Sequence, residues 1–79
     1  MKILVVEDDA EASAYLVKAF AQAGHEAEAA SDGRAGFDRA LTRGHDVLVV
    51  DRMMPKMDGL AMIQALRGRG VATPALILS

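Results

Sequence analysis

Glu7 and Asp8 stand directly after the apolar run Ile3-Leu4-Val5-Val6, and Asp51 stands directly after a second run, Val47-Leu48-Val49-Val50. Apolar runs of this length without polar alternation are the mark of strands covered on both faces. If the two strands lie side by side and parallel, their C-terminal ends bring Glu7, Asp8 and Asp51 into one crevice. Carboxylates crowded there repel one another by about 4 kcal/mol per pair at 4 Å and an effective dielectric of 20. Such a cluster calls for a cation, and a hard divalent ion that takes oxygen ligands, Mg2+, is the natural choice. With its charge screened, one Asp51 oxygen can stay on the ion while the other attacks a phosphorus atom, giving an aspartyl phosphate. The residues thus point to an acidic magnesium pocket with Asp51 as the nucleophile.

The segment after Asp51 supports this chemistry. Pro55 biases Met54 away from helix and holds the loop open. Asp58-Gly59 then reads as a turn and the entry to a helix. Ser79, at the end of a last apolar run, projects its hydroxyl toward the same crevice on this reading, where it can hydrogen-bond a phosphoryl oxygen.

Elements that could position these groups alternate along the chain. Residues 2–6, 46–50 and 75–78 read as buried strands. Residues 26–30, Glu-Ala-Glu-Ala-Ala, alternate polar and small and so suit a strand that is wet on one side, at a sheet edge. A first helix places Ala12, Leu16, Ala19, Phe20 and Ala23 on one face, with Asp9 as N-cap and Gly24 as stop. A second is expected from about Asp32 to Arg43, with Phe37, Ala40 and Leu41 inward and Gly44 ending it. A third is expected from about Asp58 to Arg67, with Leu60, Ile63 and Leu66 inward, closed by Gly68-Arg69-Gly70 and Pro74. The order βαβαβαβ implies right-handed crossovers and a parallel sheet, whose ligands bind beyond the carboxyl ends of the strands.

Composition bounds the rest. Seventy-nine residues make at most one small domain, and with 52% hydrophobic but only 4% aromatic residues its core is built from Val, Leu, Ile, Ala and Met. The absence of cysteine excludes disulfides and cysteine-based zinc sites and suits a reducing cytoplasm. A net charge of −2 with both signs interspersed gives no footprint for nucleic acid. No apolar run approaches the roughly 20 residues of a membrane span, so no membrane partner is expected.

Taken together, Ile3-Leu4-Val5-Val6-Glu7-Asp8-Asp9, Asp51 with Met54-Pro55 and Met57-Asp58-Gly59, and Leu76-Ile77-Leu78-Ser79 resemble the N-terminal part of a bacterial two-component response-regulator receiver domain. The opening Met-Lys-Ile-Leu-Val-Val-Glu-Asp-Asp is similar to the winged-helix subgroup of transcription regulators. The resemblance implies a flavodoxin-like, three-layer α/β fold with strand order 2-1-3-4, ending after the fourth parallel strand. It implies one receiver domain over residues 1–79, without a fourth helix, fifth strand or fifth helix. Asp51 is then the phosphoacceptor served by a sensor histidine kinase. Asp8 ligates Mg2+ directly, Glu7 acts mainly through water, and Met53 offers its backbone carbonyl. Ser79 occupies the place of the switch hydroxyl, and Pro55 and Gly59 shape the loop. The protein is a regulator that assists its own phosphorylation at most, not an enzyme, and a DNA-binding output domain belongs to the parent protein rather than to this chain. The lysine that normally pairs with the phosphoryl oxygens has no counterpart here, since Lys56 does not match its position.

Plainer roles compete for several of these residues. Helix capping explains Asp9 without metal, and a turn explains Asp58. Met53, Met54, Met57 and Met62 suit apolar gap-filling. His25 and His45 suit surface loops, and Arg34, Arg39 and Arg43 a charged helix face. A dehalogenase-type phosphatase would want a second Asp two residues after the nucleophile, where Met53 stands. The alternative function is an interaction or oligomerisation module that is impaired in phosphorylation.

A sheet that stops at residue 78 leaves Ala75-Leu76-Ile77-Leu78 as an apolar edge and is expected to bare Val5, Val47 and Val49. Each such side chain contributes about 1.5–3 kcal/mol when buried, against roughly 5–15 kcal/mol for a whole domain. A homo-oligomer or domain swap is therefore expected of the isolated chain. Sedimentation at low micromolar concentration should show species larger than the monomer.

Overall fold

The apolar runs form the sheet, and the caps set where each helix begins. A computed structural model describes residues 1–78. Its elements are β1 (Lys2–Val6), α1 (Ala10–Gln22), β2 (Glu26–Ala30), α2 (Gly33–Ala40), β3 (Val47–Asp51), α3 (Gly59–Gly68) and β4 (Ala75–Leu78). All strand pairs are parallel, in the order β2-β1-β3-β4. This is the expected three-layer α/β arrangement.

Alternation along the strands divides the core in two. Leu4, Val6, Leu48 and Val50 face Phe37, Ala40, Met62, Leu66 and Val71 on the α2–α3 side. Ile3, Val5 and Val49 face Leu16, Val17 and Phe20 of α1. Val5 and Val49 are therefore buried and Val47 is half-buried, contrary to the expectation that they would be bared. The expected apolar edge is present at β4, where Leu76 is 58% exposed and Ile77 and Leu78 are also in solvent. As its polar alternation predicts, β2 lies at the other edge.

Each helix departs from its expected face or length for a local reason. In α1 the buried stripe is Ser13, Leu16, Val17 and Phe20, and Ala19 and Ala23 are exposed. Burying Val17 removes more apolar area from water than burying the alanines would. Gly24, at a φ of 90°, is the predicted stop. The second helix ends at Ala40, not Arg43. Thr42 donates its hydroxyl to the Arg39 carbonyl, and Arg43 turns to a φ of 58°. From there its guanidinium reaches the carbonyls of Arg69 and Gly70 at 3.0 and 3.3 Å. The three arginines thus share no helix face, since Arg34 pairs with Asp38 and Arg39 with Glu28.

In α3 the inward residues are Gly59, Met62 and Leu66, with Ile63 half-buried, while Leu60 is 40% exposed. Gly59 fixes that phase, because its Cα lies against the Asp51 carbonyl, where a Cβ would sit 2.4 Å away. The surface position expected of His45 is also corrected, although it does lie in a loop. His45 is buried, with Nε2 2.6 Å from Glu28 Oε1. That hydrogen bond, with Arg39 adding its charge, holds the Glu28 carboxyl below the usual carboxylate range. His25 is half-buried, its Nδ1 3.1 Å from the N-terminal amine.

No helix among the described residues is long and apolar enough to cross a membrane. Leu48 is fully buried, so Leu48→Ala should lower the unfolding free energy by about 2–5 kcal/mol. Leu60→Ala should change it by about 0.5 kcal/mol or less. Urea denaturation of the two variants checks both values.

Candidate functional site: an acidic pocket at the strand ends

Parallel pairing of β1 with β3 sets Val6 opposite Val50, so the residues that follow, Glu7 just beyond β1 and Asp51 at the last position of β3, stand side by side. Glu7 is steadied by its own N–H, which donates to the Ala30 carbonyl of β2 at 3.1 Å. Oxygens of Glu7, Asp8 and Asp51 all lie within 4.8 Å of one another. Glu7 and Asp51 are half-buried and Asp8 is exposed. The expected convergence of these three carboxylates is therefore present.

Burial, and then the closeness of the Asp51 carboxylate, push the Glu7 pKa from the ordinary 4.5 to about 7. Its Oε2 is buried without a hydrogen-bond partner. An orphaned carboxylate oxygen facing two more carboxylates is a hard, anionic donor set, and it fits a small divalent cation such as Mg2+. Beside Glu7 and Asp8 a groove of about 440 Å3 opens between α1 and β2, lined by Ala10, Ser13, Ala14 and Ser31 among others.

Asp9 is withdrawn from the cluster. Its Oδ1 accepts the Glu11 N–H at 3.3 Å and caps α1. Asp58 likewise caps α3, accepting the Ala61 N–H at 2.8 Å. Asp9 thus takes the capping role expected of it, and Asp58, read as a turn and helix-start residue, is the cap of that helix.

The loop between β3 and α3 folds back on Asp51. Met53 N–H lies 3.4 Å from Asp51 Oδ1, Met57 N–H donates to the Pro55 carbonyl, and Gly59 N–H donates to the Arg52 carbonyl. Met54 and Met57 pack against the core, as gap-filling methionines do, but Met53 is 77% exposed. The contact of Gly59 with the Asp51 carbonyl leaves no room for a side chain at that position. Ser79 lies outside the described residues.

The motifs on the sequence do not single out the corner between β2 and α2. Gly33 touches the Met57 carbonyl there, and Asp32 Oδ2 lies 3.7 Å from Lys56 Nζ. Its signal is a second Asp-Gly pair at 32–33, matching the pair at 58–59.

An open parallel sheet with an acidic pocket at its carboxyl edge defines a class, and comparison with known proteins narrows it. The family model for the response regulator receiver domain matches residues 3–79. The chain is 38% identical over 79 residues to the probable transcriptional regulatory protein SilR of Salmonella typhimurium. It is 33% identical over 79 residues to the transcriptional regulatory protein CusR of Escherichia coli. Both matches take in 100% of this chain but 35% of the relative, so the chain spans about a third of their length.

Among solved structures, the Francisella response regulator 1452 receiver domain superposes with a TM-score of 0.95 at 35% identity. That match covers 99% of this chain and 64% of the other. The Vibrio cholerae chemotaxis protein CheY4 superposes at 0.89 and 32% identity, covering 96% and 65%. The chain belongs to the response-regulator receiver family.

The raised Glu7 pKa has a sign that can be checked. Between about pH 4.5 and 7 the folded protein holds a proton on Glu7 that the unfolded chain has released. Stability must therefore fall as pH rises through that window. In metal-free buffer, wild type should lose stability between pH 5 and 8, and Glu7→Gln should lose less. Denaturant titrations at both pH values measure the difference.

Proposed function

We propose that residues 1–79 act as the phosphoacceptor unit of a two-component signalling protein, with Asp51 taking a phosphoryl group from a sensor histidine kinase. The observation that carries this reading is the meeting of Glu7, Asp8 and Asp51 within 4.8 Å around an orphaned Glu7 oxygen, in a chain of the receiver family.

Glu7, Asp8, the Asp51 carboxylate and the Met53 backbone carbonyl are the groups proposed to hold Mg2+, with Glu7 acting mainly through water. When bound, Mg2+ neutralises the crowded carboxylates and the phosphoryl oxygens so that anion can approach anion. Asp51 supplies the nucleophile. One of its oxygens forms a P–O bond as the P–N bond to the donor imidazole breaks, and the imidazole leaves with the electron pair and takes up a proton. The Met53 N–H on Asp51 Oδ1 orients the carboxylate and leaves Oδ2 for attack. Pro55, whose carbonyl accepts the Met57 N–H, and Gly59, which lies against the Asp51 carbonyl, shape that loop. The Ser79 hydroxyl is proposed to hydrogen-bond a phosphoryl oxygen.

The relatives named as transcriptional regulators support a parent protein whose output is transcription, through a DNA-binding region of the winged-helix kind. A cytoplasmic location suits a kinase donor and a DNA target. The chain is proposed to be a signalling partner rather than an enzyme with turnover.

Incubation with acetyl phosphate and Mg2+ should add one phosphoryl group to the intact mass, and Asp51→Asn should add none. EDTA should suppress the gain in wild type. No gain with either acetyl phosphate or a phosphorylated kinase would favour the interaction module instead.

A further inference from the structure

The loop at residues 52–58 carries the Met53 carbonyl and touches the Asp51 carboxylate. At its start the Arg52 N–H donates to the Leu78 carbonyl of β4, while the bonds from Met57 N–H to the Pro55 carbonyl and from Gly59 N–H to the Arg52 carbonyl close it on itself. At Lys56 and Met57 it is braced from outside by the β2–α2 corner. A Cβ on Gly33 would lie 1.8 Å from the Met57 carbonyl oxygen and 2.8 Å from its carbon, so the two backbones are in direct contact. Next to Met57, Lys56 holds a φ of 70°, a left-handed conformation that a residue with a β-carbon seldom adopts. Its ammonium lies 3.7 Å from Asp32 Oδ2. Asp32 divides its labour, because Oδ1 caps α2 through the Ala35 N–H at 2.8 Å and Oδ2 faces Lys56. The contacts run from Asp32 and Gly33 to Lys56 and Met57, and from there through the loop to Met53 N–H and Asp51 Oδ1 at 3.4 Å.

We infer that Asp32, Gly33 and Lys56 are positioning residues for the cation pocket, clamping the 52–58 loop against the start of α2 so that Asp51 and the Met53 backbone stay in register with Glu7 and Asp8. This rests on the Mg2+ reading of the pocket above. It gives Lys56 a task different from contacting phosphate, and it gives the Asp-Gly pair at 32–33 a role beyond starting a helix.

Two substitutions separate the clamp from plain charge effects. Asp32→Asn keeps the cap acceptor and removes the ion pair, since Asn caps as well as Asp. Lys56→Gln removes the ammonium with the same backbone demand. Charge alone predicts opposite outcomes, because losing a nearby cation should tighten Mg2+ binding and losing an anion should weaken it. The clamp predicts that both variants weaken it, by about two- to fivefold for a largely exposed pair, and that Lys56→Arg keeps wild-type affinity. Gly33→Ala should weaken it further.

Mg2+ titration followed by amide chemical shifts, with hydrogen exchange at the Met53 and Met57 amides, reads the result. Unchanged or tighter Mg2+ binding in Lys56→Gln, with unchanged exchange, would overturn the clamp. Should Gly33→Ala fail to fold, the Asp32 and Lys56 variants decide alone. If wild type takes up no Mg2+ but exchange at both amides quickens in the two variants, the clamp stands and the magnesium reading falls.

Discussion

Parallel pairing of β1 with β3, in the register that sets Val6 against Val50, is the constraint on which the rest of the molecule depends. A parallel sheet sends every strand out at the same edge, so whatever residue follows each strand meets its neighbours there. At β1 and β3 the residues at that edge are carboxylates, Glu7 just beyond β1 and Asp51 at the last position of β3. Three like charges then lie within 4.8 Å, an arrangement that opposes folding unless a proton or a cation occupies it. Burial, and then the nearness of Asp51, raise the Glu7 pKa to about 7, so that Glu7 takes up a proton more readily than a free carboxylate. A cation bound to these oxygens would compete with that proton.

What holds that unfavourable site together is apolar. Leu4, Val5, Val6, Leu48 and Val50 are completely buried directly beneath it, on two core faces that share the same two strands. Strand alternation gives α1 one face and the α2–α3 pair the other. The strand ends cannot separate to relieve the charges without opening both cores. The site is thus held by burial that involves none of its own atoms.

Close backbone approach refines what the sheet positions. Gly59 lies against the Asp51 carbonyl, and Gly33 lies against the Met57 carbonyl. Each follows an aspartate that caps the helix it opens. The repeated Asp-Gly pair thus does two things at once. Aspartate starts the helix, and glycine lets that start press against the loop around Asp51. Side chains at these two positions would push the loop away from the pocket.

The strand runs, the N-cap at Asp9, the helix starts near Asp32 and Asp58, the stop at Gly24 and the carboxylates at the ends of β1 and β3 are all legible in the sequence, because each depends on residues within a few positions of one another. The inward faces of α1 and α3 are less so. Whether Val17 or Ala19, and Met62 or Leu60, turns inward depends on how a helix rotates against a sheet built from distant residues. The burial of His45 against Glu28 could not be read either, since the partners are 17 residues apart on different elements, and a histidine between glycine and aspartate looks like a loop. Nor could the early end of α2, where Arg43 leaves the helix for carbonyls 26 and 27 residues away. Local chemistry wrote the elements and the candidate ligands. Only tertiary packing decided which oxygens face one another and which carboxyl is pushed toward its protonated form, because charge repulsion and desolvation act through distances that the linear chain does not contain.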